Sequence, residues 1–400
     1  MKNSQSKIEK LITELCPDGI EFKKLGELGN FYGGLTGKSK EDFSNGNAKF
    51  VTYKNIFSNI FIDTNVNIFV KIESKEKQNK IQYGDILFTS SSETPNECGM
   101  SSVLTKKINE PLYLNSFCFG FRFNDINLLL PEFSKYLFRD EQMRKQIVKT
   151  ASGVTRFNIS KKRFAKIKIP LPPLKIQKEI VKILDNFTEL EAKLEAELEA
   201  RKKQYDYYRN KLLAFNQNVE ISKIGEVCNI SRGRVMSKGY LAKNIGEYPV
   251  YSSQTANQGI FGRINTYDQD GEYITWTTDG ANAGSVFYHN GKFSITNVCG
   301  LLKPKTSKLN VKYLLYILSI NSKKYVSSGM GNPKLMSNVM SKIKIPIPPL
   351  SEQERIVSIL DKFDALVNDI LVGLPAELKA RRQQYEYYRN KLLTFKELKK

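Results

Sequence analysis

One block of sequence occurs twice in this chain, and a chain that repeats itself over such a stretch folds as two related units rather than around one core. Ile169-Pro-Leu-Pro-Pro-Leu174 returns as Ile345-Pro-Ile-Pro-Pro-Leu350, and Ile180-Val181-Lys182-Ile183-Leu184-Asp185 as Ile356-Val357-Ser358-Ile359-Leu360-Asp361. Each copy ends alike, in Gln204-Tyr-Asp-Tyr-Tyr-Arg-Asn-Lys-Leu-Leu213 and Gln384-Tyr-Glu-Tyr-Tyr-Arg-Asn-Lys-Leu-Leu393. The second copy holds four extra residues between Phe363 and Leu378. Fainter echoes precede each block: Lys24-Leu-Gly-Glu-Leu28 matches Lys223-Ile-Gly-Glu-Val227, Gly84-Asp-Ile-Leu-Phe-Thr89 resembles Gly271-Glu-Tyr-Ile-Thr-Trp276, and Ser152-Gly153 answers Ser328-Gly329. The order is divergent region, kept block, divergent region, kept block. This is a duplication.

The kept blocks read as long helices. Prolines at 172–173 and 348–349 can precede a helix but not continue one, so they mark its start. Ser351 with Glu354 three residues on has the pattern of a capping box. Phe187, Leu190, Leu194, Leu198, Arg201, Tyr205, Tyr208 and Leu212 then recur in steps of three and four, the seam of a parallel or antiparallel coiled coil. The second copy follows with Phe363, Leu366, Ile370, Leu374, Leu378, Arg381, Tyr385, Tyr388 and Leu392. Its extra turn is a stutter, and Gly373 with Pro375 predicts a kink there. Helices of roughly 40 residues span about 60 Å. Matching seams suit pairing within the chain, and pairing between two chains satisfies the same pattern.

The divergent regions read as α+β and strand-rich. Ile86–Thr89, Phe117–Phe123, Tyr273–Thr278 and Ser285–Tyr288 have strand composition between Gly/Ser/Asn-rich loops. Each region closes with a helix, over Pro131–Lys149 and Val311–Tyr325. The boundaries are therefore 1–168, 169–215, 216–344 and 345–400, with a short helix from Ser6 to Leu15 at the start.

Charge narrows the partner. Sixty-two Lys and Arg against 41 Asp and Glu leave a net +21, which favours a polyanion because neutralised phosphates release counterions. A Lys-rich genome or an anionic membrane surface fits the charge as well, but no run approaches 18 apolar residues. Cys16, Cys98, Cys118, Cys228 and Cys299 form no CxxC pair, and the opening residues carry no apolar leader. Free thiols in a reducing cytoplasm are the expectation.

No constellation of catalytic residues emerges. The lone His289 sits in a Tyr-His-Asn-Gly segment read as an exposed turn. Gly33-Gly-Leu-Thr-Gly37-Lys38-Ser39 is one residue short of a phosphate loop. Asn332-Pro333-Lys334 begins like an amino-methyltransferase motif but lacks its second proline and aromatic residue, and no glycine loop for an adenosyl cofactor follows a strand. Pro17-Asp18, Glu21 and Lys23 are too crowded for a nuclease hairpin.

The paired blocks, with Cys16-Pro-Asp-Gly19 and Lys24-Leu-Gly-Glu27 at the start, resemble the conserved regions of type I restriction-modification specificity subunits over essentially the whole chain. That resemblance implies two target-recognition domains separated by two long conserved helices in an antiparallel coiled coil. Each domain would read one half of a split, asymmetric site on double-stranded DNA, and the helices would set the gap. It also implies two docked methyltransferase subunits and, in the full complex, restriction subunits. The chain itself would be non-catalytic and cytoplasmic and would bind no cofactor, with S-adenosylmethionine, ATP and Mg2+ on the partners. The N-terminal helix would pack beside the C-terminal block. A specificity subunit for another two-part modification system, a self-contained DNA-modifying enzyme and an RNA-binding coiled coil are the competing readings.

Gly-flanked basic loops are the expected DNA contacts, because glycine lets backbone approach phosphate while basic side chains reach phosphates or guanine edges. In the first domain these are Lys38, Lys40, Lys54, Asn55, Thr155, Arg156, Lys161 and Lys162. In the second they are Arg232, Arg234, Lys238, Gln254, Asn257, Gln258 and Lys334. Ser152-Gly-Val-Thr-Arg156 and Ser328-Gly-Met-Gly-Asn332-Pro-Lys334 occupy corresponding places.

Overall fold

The computed structural model describes residues 7–215, 219–327, 331–369 and 372–398, without the Gln258 side chain. The expected helix start at Ser6, the segment 328–330 and the seam position Ile370 lie outside the described residues. Two compact units emerge, one of residues 1–193 with 378–400, the other of residues 194–377. Packing thus counts helix residues into each unit, where the sequence reading sets them apart.

In the first unit, strands Gly29–Gly33, Cys118–Phe123, Ile86–Thr89 and Ser101–Val103 form a sheet in that order. The second unit places Cys228–Arg232, Cys299–Pro304 and Gln269–Thr277 in the same order, then adds Val286–Ile295, Ile245–Tyr251 and Ile260–Ile264. The register agrees as well. Thr89 faces Cys118 as Thr277 faces Cys299. One cross-strand pair shows how sequence diverged inside the kept frame. Phe88 faces Phe119, rings 5.2 Å apart, whereas the matching pair is Trp276 and Gly300. A Cβ on Gly300 would stand 2.2 Å from the Trp276 ring, so glycine on one strand makes room for the larger indole on the other.

The Lys-X-Gly-Glu echoes lie at equivalent joints. Phe22–Lys24 pairs antiparallel with Lys168–Pro170, and Glu220–Lys223 with Lys344–Ile347. Gly26 N–H donates to Ala165 and Gly225 N–H to Ser341, each at a close backbone approach.

The long helix runs Leu174–Leu212 and its counterpart begins at Leu350, both directly after the paired prolines. Ser351 does not cap. Pro349 precedes the first turn and makes no side-chain cap. A buried glutamine replaces the box. Gln177 Nε2 donates to the carbonyls of Leu128 and Pro172, at 3.0 and 2.7 Å, while its Oε1 accepts from Leu130 N at 2.8 Å. Gln353 repeats this with Lys308 and Pro348, both at 2.8 Å, and Asn310 N at 2.9 Å. Two turns later Asp185 accepts from Lys135 and Tyr136, and Asp361 from Lys312 and Tyr316.

Within the first unit the helices run antiparallel: Phe187 stacks on Tyr388 at 5.5 Å while Glu191 pairs with Arg382 at 2.6 Å. Within the second, Phe363 lies against Tyr205 and Tyr208, at 6.3 and 5.6 Å. The seam is not uniformly buried, since Leu190 and Leu366 are exposed. The expected kink is a full interruption, with helices Leu350–Asn368 and Leu374–Leu393. Gly373 folds back so tightly that a Cβ would stand 2.3 Å from the Ala365 carbonyl oxygen. The helix Lys7–Leu15 packs on the C-terminal block as expected, with Ile8 and Leu393 in one core and Glu9 3.7 Å from Lys391. The closing helix of the first region is shorter than its sequence suggests, splitting into Pro131–Leu137 and Glu141–Val148.

Replacing Gln177 or Gln353 by Ala strands one buried main-chain carbonyl, of Pro172 or Pro348, at roughly 1–3 kcal/mol, and releases two part-buried main-chain groups beside it. Either variant is expected to lower the denaturant midpoint markedly, whereas Lys182→Ala, on the same helix, should leave it nearly unchanged.

Candidate nucleic-acid interface

In the first unit one end of the sheet gathers several loops. The hairpin Ala151–Ser152 and Phe157–Ile159 pairs with Ser91–Ser92 just beyond the central strand Ile86–Thr89. Gly153 sits at φ +149, and any Cβ there would collide with the Arg156 carbonyl, so glycine is required for this turn. The turn presents Val154, 91% exposed, beside Thr155 and Arg156. Arg156 Nε donates to Ser91 Oγ at 3.2 Å, and its guanidinium lies 5.9 Å from the ring of Phe117, itself 58% exposed. Tyr53 donates to the Ser91 carbonyl at 2.9 Å, which places the exposed Lys54 on the adjoining helix Tyr53–Ser58. Arg163 ties the helix Lys161–Phe164, with its exposed Lys161 and Lys162, to Ser152 at 2.9 Å.

Two cations are fixed beneath this surface. Arg144 donates to the carbonyls of Asn96, Cys98 and Gly99, and Arg139 to those of Ser101, Ile56, Phe57 and Asn59. Burial pushes both down to about 10. They remain charged at neutral pH and lock the loop by hydrogen bonds to neutral oxygens.

The second unit builds the corresponding surface from different parts. Arg232, on the first strand, donates to Thr278 Oγ1 at 2.9 Å, and Thr278 Oγ1 donates to the Val298 carbonyl at 2.9 Å. Lys334 bridges to Asp279 through the main chain, with its ammonium 3.9 Å from that carboxylate. Asn282 reaches Thr255 at 3.3 Å, joining the loop that carries Gln254 and Asn257 to the loop after Thr277. Asn257 has φ +52 and is exposed, while Gln254 donates inward to the Ile260 carbonyl.

Several expected contacts are engaged elsewhere. Lys38 is held 2.5 Å from Glu76 with its side chain only 7% exposed, and Lys38 and Gln78 together draw that carboxylate down to about 2. Asn55 closes its own loop, bonding the Asp63 backbone at 2.8 and 3.2 Å. Arg234 is occupied by Asp268, at 3.1 Å, and by Tyr240, at 2.9 Å. Lys40 and Lys238 are exposed at the starts of short helices. Ser91, Phe117, Val154, Arg163 and Thr278 escaped the sequence reading. Aligning Asn115-Ser-Phe-Cys118 with Thr296-Asn-Val-Cys299 would have flagged Phe117.

His289 is not an exposed turn residue. It is buried in the strand Val286–Ile295, stacked on Tyr251 at 3.7 Å and sharing a 2.8 Å hydrogen bond with Thr275. Desolvation lowers it to about 4. All five cysteines are free thiols. Asp85 is buried and satisfied by Arg122, Tyr32 and Gln82 N. Among the described residues no helix is long and apolar enough to cross a membrane.

Two copies of one mixed α/β frame, with antiparallel helix segments and loops gathered at one sheet end, define a duplicated recognition scaffold. The family model for the type I restriction modification DNA specificity domain matches residues 17–200 and again 216–380. The chain belongs to that family, whose members give a type I restriction-modification system its DNA sequence preference. A protein named as a type I specificity subunit in Mycoplasma pneumoniae is 44% identical over 247 residues, covering 60% of this chain and 90% of its own length. The MpnII type I restriction enzyme specificity subunit of the same organism is 45% identical over 204 residues, covering 49% and 62%. For the fold, the type I S subunit of M. genitalium aligns with TM-score 0.56 at 16% identity, covering 94% of this chain and 96% of its own. A chain from a study of type I complex assembly and conformational transition aligns with TM-score 0.66 at 18% identity, covering 94% and 97%.

His289 gives the fold a pH signature. Its folded value lies below the ordinary 6.5, so the neutral imidazole stabilises the fold above that pH. The contribution is lost as the pH falls toward 4, reaching about 3 kcal/mol. Unfolding free energies measured from pH 7 to pH 4 should fall less steeply in His289→Gln than in the parent chain.

Proposed function

We propose that this chain reads a two-part site on double-stranded DNA, one part per unit, and carries methyltransferase subunits on its helices. The observation that carries this reading is the frame built twice with unlike loops. The Gln177 and Gln353 clamps coincide bond for bond, while the surfaces above the sheets share almost no side chain. Duplicated frames suit a two-part site, and unlike loops suit an asymmetric one. The net +21 supplies affinity for the backbone without sequence information.

The helices carry a matched pair of aromatic outer faces. Tyr207 and Tyr387 are 59% and 63% exposed, each edge-on to its neighbour at 5.3 Å and 77°. Equivalent exposed tyrosines fit two copies of one partner, since aromatic anchors dominate interface energetics. In this reading S-adenosylmethionine, ATP and Mg2+, and the chemistry they support, belong to the methyltransferase and restriction subunits, and the chain works in the cytoplasm. The helices set the gap between the two half-sites.

Co-expression with the neighbouring methyltransferase gene, followed by mapping of methylated adenines, tests the reading. A split motif with a fixed gap is expected. A single undivided motif, or no methylation by an assembled complex, would sink it. Deleting residues 371–374, which removes the extra length of the second copy, should shorten or abolish the gap. In a separate measurement, Tyr207→Ala should lower the methyltransferase content of the purified complex from two copies to one, as should Tyr387→Ala.

A further inference from the structure

We infer that each unit reads a guanine with one seated arginine, Arg156 in the first and Arg232 in the second, delivered from different strands of the same frame. The inference rests on the DNA-reading role proposed above.

Among the basic side chains at the two sheet ends, these two are alike in three respects. Neither is ion-paired among the described residues, whereas Arg234 is held by Asp268, Lys334 faces Asp279 and Lys38 is consumed by Glu76. Each guanidinium rests on a buried hydroxyl fixed from below. Ser91 lies in a paired strand with its carbonyl bound by Tyr53, and Thr278 is anchored on the Val298 carbonyl. Each also has an exposed apolar residue close to it in space or in sequence, Phe117 and Val154 for Arg156, and Val235, 78% exposed and three residues on, for Arg232.

This geometry suits base reading better than phosphate contact. Arg156 spends only Nε on Ser91, so among the described residues both terminal nitrogens lack a protein acceptor. Arg232 spends one Nη2 hydrogen on Thr278 and keeps Nη1. A fork with its stem fixed can donate twice to the O6 and N7 of a guanine at little further entropic cost. The exposed valines supply apolar contact of the kind a thymine methyl takes in the same groove.

The frames also place the two forks differently. Arg156 enters from the hairpin after the closing helices, where the second unit has Asn332. Arg232 enters from the first strand, where the first unit has Gly33 facing Phe119. An unlike origin for the reading group yields unlike half-sites from one architecture.

The test is the methylation motif of the co-expressed complex with Arg156→Lys and with Arg232→Lys, which keep the charge and lose the fork. Each should relax one G·C position in its own half-motif by roughly tenfold to a hundredfold, leaving the other half and the salt dependence of binding unchanged. Ser91→Ala, which leaves Arg156 in place without its seat, should relax the same position less. A wild-type split motif untouched by both lysine variants overturns this inference alone. A loss spread evenly over all sequences overturns it too, by marking phosphate contacts. A wild-type complex with no split motif overturns it together with the reading beneath it.

Discussion

A glutamine amide buried in the first turn of each long helix is the interaction on which the rest of this structure depends. An amide in an apolar interior costs several kcal/mol unless its donors and acceptor are met, and here all three bonds are made to main chain. Leu128, Leu130 and Pro172 converge on Gln177, as Lys308, Asn310 and Pro348 converge on Gln353. These groups come from the loop before the closing helix and the proline turn before the long helix. One side chain therefore joins the domain to the start of its helix. Main-chain partners impose no sequence on the loop that supplies them, which lets the domain diverge while the joint stays fixed.

The same economy appears one layer out. Asp185 and Asp361 each accept from a lysine and a tyrosine, but Lys135 adjoins Tyr136 whereas Lys312 precedes Tyr316 by a helical turn. The carboxylate fixes where a cation must arrive, not which helix position sends it. The exchange of Phe88–Phe119 for Trp276–Gly300 follows the same logic in the core, where a glycine on one strand makes room for the indole on its neighbour.

Legibility in the sequence followed the reach of the interactions. The helix starts were readable because proline acts within its own turn, and the duplication was readable because it needs no geometry. The capping box at Ser351 failed because the competing group, Gln353, takes its partners from Lys308 and Asn310, which no local pattern announces. His289 looked like a turn because Asn290-Gly291 follows it, yet the strand continues through Ile295 with Gly291 at φ +96 facing Gly271 at φ +131. Lys38 looked free until Glu76, on another loop, came against it. Arg156 and Arg232 were visible as charges, but their seats on Ser91 and Thr278 were not.

That last difference separates affinity from specificity. A net +21 attracts any duplex and weakens with salt for every sequence alike. Preference for one sequence needs groups whose position is fixed before the bases arrive, since a mobile side chain spends its binding energy on being ordered. The part-buried Arg139 and Arg144 hold the loops in place by pinning the carbonyls of Asn96, Cys98, Gly99 and Ser101 and those of Ile56, Phe57 and Asn59. Truncating either would strand those carbonyls and loosen the loops over the sheet while leaving the surface charge almost unchanged. The cations that matter most for sequence choice are thus the few whose freedom the fold has already removed.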